Sequence, residues 1–144
     1  MNKKLFYILS FTWGLPLTLI GLVVALVLFM TGHRAKKHGW CYYFAIGENW
    51  GGLELGIFFL CDKKEIAHTK NHEFGHGIQN CYFGFLMPFI VCIPSVIRYW
   101  YREIRTRHGK ENKKGYDDIW FEGQATYLGT KYIGKNETTR NIIK

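Results

Sequence analysis

Between Leu5 and Gly32 the chain carries no charged residue, and Leu22 to Phe29 is an unbroken run of Leu, Val, Ala and Phe. At about 1.5 Å per residue such a stretch can cross a hydrocarbon core of about 30 Å, so it predicts a transmembrane helix with Gly14 and Pro16 as an irregularity in its outer half. Lys3 and Lys4 lend it the positive start of a signal peptide. Its apolar core, however, exceeds the roughly 7 to 15 residues usual there, and no small-x-small cleavage site follows. Two β-rich runs come next, Cys41 to Ile46 and Leu53 to Leu60, on either side of Gly47-Glu48-Asn49-Trp50-Gly51-Gly52. Apolar runs around a Gly/Asn turn predict a β-hairpin.

From about Ile66 to Cys81 the pattern turns helical, with Gly84 or Pro88 to limit it. A second apolar run, Tyr82 to Ile97, is short for a full crossing and contains Pro88 and Pro94. It predicts either a re-entrant segment or a core helix packed on the anchor. Arg98 to Arg107 then interleaves aromatic rings with arginines, as segments at membrane interfaces do, with a nucleic-acid stripe as the rival reading. A polar loop spans His108 to Gly115, a last helix Tyr116 to Ile133, and a loosely held polar tail follows from Gly134. The expected architecture is a mainly helical α+β membrane protein, with an anchor over residues 1–33 and a compact domain over 34–144 whose 82–97 segment is membrane-associated.

Composition narrows the class. The chain has 144 residues, room for one domain, and 48% hydrophobic against 21% charged residues excludes a disordered tail. Mean hydropathy is −0.09 although the first thirty residues are apolar, so the remainder is ordinary and polar. A net charge of +8 suits nucleic acid or an anionic membrane surface, and the anchor decides for the membrane. Cys41, Cys61, Cys81 and Cys92 form no C-x-x-C pair and have no structural-zinc spacing. They read as small buried apolar residues; a Cys41–Cys61 disulfide across the hairpin would instead put the domain outside the cytoplasm.

The chemistry sits in His72-Glu73-Phe74-Gly75-His76, an H-E-x-x-H sequence inside the predicted helix. Residues i and i+4 share a helix face, so both imidazoles can reach one zinc ion, and Glu73 falls beside the water that such an ion acidifies. A catalytic zinc needs a third protein ligand. His108, Asp117, Asp118 and Glu122 are available, and Glu122 is the best of them because it lies mid-pattern in a helix whose apolar face would otherwise bury an unmatched acid. A salt bridge from Glu122 to an arginine is the bland alternative. Ala125, Thr126 and Gly129 would let this helix press closely on the histidine helix.

The pairing of His72-Glu73-Phe74-Gly75-His76 with Glu122-x-x-Ala125 resembles the gluzincin metallopeptidases, and with an anchor and a hydrophobic insertion it is similar to the membrane-bound HtpX and CAAX-prenyl protease group. The resemblance implies a compact zincin-like metallopeptidase domain over 34–144, with His72, His76 and Glu122 holding Zn2+ and Glu73 as general base. It also implies that an edge strand before the helix, here Leu53 to Leu60, pairs with an extended substrate. That group usually follows the Ala with Asp. Here the position is Thr126, so the carboxylate that orients a ligand histidine is replaced or moved, with Asp118 as the candidate. Tyr116, Tyr127, Tyr132 and His108 are equivalent candidates for oxyanion stabilisation, and His68 is expected to be exposed. A shared zinc requires 82–97 to re-enter rather than cross, and the distribution of Lys and Arg puts the catalytic side in the cytoplasm. The expected function is a membrane-bound zinc metallopeptidase acting on a peptide or membrane protein; a non-catalytic zinc protein and a metal-free membrane adaptor are the alternatives.

Overall fold

The computed structural model describes residues 1–112 and 115–142, with side chains through residue 134. The chain is α+β, with five helices and a small sheet among the described residues: α1 Lys3–Ser10, α2 Leu15–Met30, β1 Lys36–His38, β2 Cys41–Ala45, β3 Gly52–Leu55, β4 Phe58–Cys61, α3 Ala67–Phe83, α4 Ile93–Arg107 and α5 Trp120–Ile142. A 3-10 turn (Gly84–Leu86) and a π-helical turn (Pro88–Cys92) link α3 to α4, and a second 3-10 turn (Tyr116–Asp118) precedes α5.

The predicted single anchor is instead a bent pair. Helices α1 and α2 meet at 88°, and no single described helix is long and apolar enough to cross a membrane. The physical reason is a tertiary contact at the break. Pro16 lies in the first turn of α2, and Asn80 of α3 seats its amide on Gly14, donating to the Gly14 carbonyl at 3.2 Å. The segment after α3 bends likewise: the stretches Ala67–Leu86 and Pro88–Arg107 lie 114° apart. Gly84 takes φ 55 there, and the Trp13 indole fills the space where a Cβ would sit.

The predicted hairpin between 41–46 and 53–60 is also corrected. Gly56 interrupts the second run at φ 77, with Thr18 of α2 pressed against it, so 53–60 folds on itself as β3 and β4 around a Gly56-Ile57 turn. Strand β2 then pairs with β4 in parallel, Tyr42 opposite Phe58 and Ala45 opposite Cys61, and the order is β1-β2-β4-β3. Cys41 and Cys61 are consequently four strand positions out of register, about 13 Å, and all four cysteines are free thiols.

Alternation along β2 and β4 divides the interior in two. Cys41, Tyr43, Phe59 and Cys61 face Phe74 and Ile78 of α3, with Phe6 of α1 and Leu128 of α5 completing that core. Phe44 and Leu60 face the other way, onto Leu17 and Ala25 of α2 and onto Met87 and Val91 of the bent segment. Helix α5 begins after the turn rather than at Tyr116, and runs to Ile142 where an end at Ile133 and a loose tail were expected. Ile143 and Lys144, like Lys113 and Lys114 of the predicted loop, lie outside the described residues.

Candidate metal centre

Helix α3 runs beneath the sheet and carries His72, Glu73 and His76 in its buried central turns. What brings α5 to it is a glycine contact. A Cβ on Gly75, one of the two x positions of H-E-x-x-H, would lie 1.8 Å from the Ala125 carbonyl oxygen, and one on Gly129 would lie 1.8 Å from that of Asn71. Only residues without side chains allow backbones this close, so the predicted close approach of α5 at Ala125 and Gly129 is present and needs Gly75 as its counterpart. At this crossing Glu122, with no exposed surface, reaches both histidines.

The result is a closed triangle. His72 Nε2 and His76 Nε2 are 3.0 Å apart, and Glu122 Oε2 lies 3.0 Å from the first and 3.2 Å from the second. These three buried residues could hold a metal ion. The hydrogen bonds behind them decide which atoms point inward. Gln79 Nε2 meets the Phe121 carbonyl at 2.8 Å, an acceptor only, which fixes the amide orientation and makes Gln79 Oε1 the acceptor for His76 Nδ1–H, also at 2.8 Å. Thr126 Oγ1 donates to Asp117 Oδ2 at 3.1 Å, so its lone pair takes the His72 Nδ1–H at 2.8 Å. With both Nδ1 atoms donating, each neutral ring presents an Nε2 lone pair to the triangle.

Two lone pairs and a carboxylate oxygen this close require positive charge between them: a shared proton or a cation. Burial raises the Glu122 carboxyl, but positive charge shared with His72 and His76 and the hydrogen bond from Ser95 outweigh it and hold the group below the usual carboxylate range. Ser95 of α4 donates to Glu122 Oε1, leaving Oε2 for the histidines, and the Tyr116 hydroxyl lies 3.1 Å from the Ser95 oxygen. Every member of the triangle is therefore oriented from behind: His72 by Thr126 and Asp117, His76 by Gln79, Glu122 by Ser95.

Several sequence expectations are corrected or narrowed by this arrangement. The carboxylate behind Thr126 is Asp117; Asp118 is turned away, accepting from the Gly115 N–H at 2.7 Å. Glu122 pairs with histidines and Ser95 rather than with an arginine. His68 is exposed as expected, and also touches Asp117 at 3.5 Å. Of the four oxyanion candidates only Tyr116 lines the cleft above the triangle. Tyr127 is exposed, Tyr132 is packed on Trp40, and His108 bonds to the Ile104 carbonyl at the end of α4. Gln79, Ser95 and Gly75 were missed. Gln79 had a signal, three residues after His76 and so on the same helix face, whereas Ser95 lay hidden in an apolar run.

The cleft holds about 670 Å³ and has His72, Glu73 and His76 among its lining residues. Burial pushes the Glu73 carboxyl up to about 7, with His72 opposing and Glu122 adding. The Tyr116 phenol is pushed up to about 12, by burial first and then by Glu122, which keeps it a hydrogen-bond donor. A general base poised near neutrality beside a cation site is chemically suited to activating water. No family model matches the chain, and neither the curated proteins nor the solved structures contain a match to it.

Proposed function

We propose that the protein is a zinc-dependent peptidase that works at a membrane surface. The observation that carries this reading is the His72–His76–Glu122 triangle, buried and presenting two Nε2 lone pairs and one carboxylate oxygen beside Glu73. Tetrahedral zinc with bonds of about 2.0–2.1 Å sets its ligand atoms about 3.3 Å apart. The separations of 3.0 to 3.2 Å here are close to that, and two imidazoles with one carboxylate are an established catalytic zinc set.

His72, His76 and Glu122 would hold the ion, which when bound supplies Lewis acidity to a carbonyl and acidity to a water. Glu73 removes the proton from the attacking water and returns it to the departing amine nitrogen. Tyr116 stands at the cleft wall and would serve a developing oxyanion by turning its O–H from Ser95, which accepts it while donating to Glu122. Ser95, Gln79 and the Thr126–Asp117 pair keep the ligands aimed.

Membrane association rests on exposure. Leu19, Ile20, Val23, Leu26, Val27 and Phe29 of α2 are all half or more exposed, on a helix without a charge. Phe89, Ile93, Ile97, Trp100 and Ile104 form a second exposed stripe at helical spacing along the bent segment and α4. Arg98, Arg102 and Arg105 lie off that stripe and are held by the protein itself, Arg98 on the Gly115 and Tyr116 carbonyls, Arg102 over the Tyr116 ring and Arg105 on the Glu111 carbonyl. Two bent, partly inserted pairs keep both sides of the triangle on one side of the bilayer.

The test is metal content of the detergent-purified chain by mass spectrometry, beside His76→Ala and Glu122→Gln. About one zinc per chain, lost in both variants, followed by peptide hydrolysis that Glu73→Gln abolishes, is the expected result. Zinc binding without hydrolysis would leave a non-catalytic zinc protein, and failure to take up zinc would leave a membrane adaptor.

A further inference from the structure

Strand β3 is the outer strand of the sheet, and no described strand pairs with its far edge. Asp62 N–H bonds to the Gly51 carbonyl at 2.9 Å, and Leu53 faces Leu60, so in the antiparallel ladder the backbone groups of Gly52 and Glu54 point to the free side. Gly52 passes directly against the proposed general base: a Cβ there would lie 2.5 Å from Glu73 Oε1. A peptide laid along this edge therefore passes Glu73 and the triangle.

The walls on either side of that path differ from the rest of the surface. Leu53 and Trp50 line one side, and Met87, Val91, Val96 and Trp100 the other. The chain carries 19 Lys and Arg, yet among the described residues none lines this cleft. Apart from histidines, the acids Glu54, Glu73, Asp117 and Asp118 are among its lining residues, Asp118 being bonded to the Gly115 N–H. An acidic side chain entering here would meet apolar walls and like charge and, away from the metal site, which the hydrolysed carbonyl occupies, no Lys or Arg to pair with.

Resting on the peptidase reading, we infer that the site selects an extended peptide segment with a bulky apolar side chain next to the scissile bond and rejects acidic side chains, with Leu53 and Val96 as specificity-determining residues on opposite walls. Desolvating a large apolar side chain is worth roughly 1.5–3 kcal/mol, or about a tenfold to hundredfold preference. Both residues are partly exposed, at 42% and 48%, so they can be replaced without opening the core.

The experiment uses the zinc-loaded full chain in lipid nanodiscs and a set of acetylated amino-acid hydroxamates with leucyl, phenylalanyl, aspartyl or lysyl side chains, with empty nanodiscs correcting for partition. Zinc capture is common to the set, so differences report the cleft. Phenylalanyl or leucyl hydroxamate is expected to bind about tenfold to hundredfold more tightly than aspartyl. Val96→Arg and Leu53→Arg, each retaining zinc, are expected to cut that ratio at least tenfold by giving the acid a partner. Equal affinities, or tightest binding of the aspartyl or lysyl compound, would overturn the inference. Apolar preference without cleavage of any peptide would uphold the cleft inference while the peptidase reading fails; cleavage without apolar preference would do the reverse.

Discussion

The α3–α5 crossing and the outer faces of α2 and α4 are built by opposite rules. At the crossing, glycines bring two backbones into contact, and the polar side chains of the triangle have their hydrogen bonds supplied by Thr126, Asp117, Gln79 and Ser95. On the outer faces, large apolar side chains stand exposed with no polar group to satisfy, and α4 has no buried residue at all. Position is everything in the first region, because a displaced ligand leaves a charge without its partner. Composition is everything in the second, because hydrocarbon or apolar protein accepts any side chain that is greasy enough. The two regions should therefore respond to mutation in opposite ways.

The largest effect is expected at the glycine contact. Gly75→Ala inserts a methyl group where 1.8 Å is available, so α5 must move and take Glu122 with it. Zinc affinity should fall more than a hundredfold, and stability by about 1–3 kcal/mol or more, read by chelator competition and by thermal unfolding. A Gly75→Ala protein with unchanged affinity would show that the crossing does not set the triangle.

Thr126→Val sharpens the comparison by altering hydrogen bonding at nearly constant volume. It cuts His72 from Asp117, and loss of such an orienting partner costs about tenfold to a hundredfold in metal affinity. Thr126→Asp, which puts the carboxylate directly behind His72, should restore most of it. If both variants bind zinc like the wild type, Asp117 plays no part in orienting His72.

Charges on the outer faces should do the converse. Val23→Asp combined with Ile97→Asp is expected to leave zinc affinity within about twofold while releasing the protein from anionic vesicles in a flotation assay. Loss of zinc in that variant would mean the two regions are not separable.

The smallest effect is expected at the rim of the sheet, where Glu65 accepts from Lys36 and Tyr43. The Lys36 contact holds the Glu65 carboxyl below its ordinary value, so its contribution is present above the usual carboxylate range and fades as pH falls through it. Lys36 is half exposed, and Glu65→Gln should cost less than about 1 kcal/mol at pH 7, and less still at pH 3, in urea unfolding.

Much of this division was legible in the residues. The i, i+4 histidines, the uncharged run before Gly32 and an acid placed mid-pattern in an apolar helix are local signals, and α3 emerged within two residues of its expected span. The anchor was misjudged because its break is imposed from outside, by Asn80 on Gly14. The hairpin was misjudged because strand pairing is decided by what Gly56 touches, Thr18, and not by the turn residues at 47–52. Asp118 and Asp117 are adjacent in the chain, and only the direction each faces separates them.

Residue spacing alone determined which groups can share a metal ion along one helix turn, since 3.6 residues per turn is a property of the backbone. It also determined where the chain is apolar enough to shun water. Tertiary structure decided the rest: which carboxylate closes the triangle, which nitrogen of each ring faces it, and which strand edge runs past Glu73. Those choices depend on contacts between residues 9 to 54 positions apart, such as Thr126 with Asp117 and with His72, and such contacts exist only once the helices have packed.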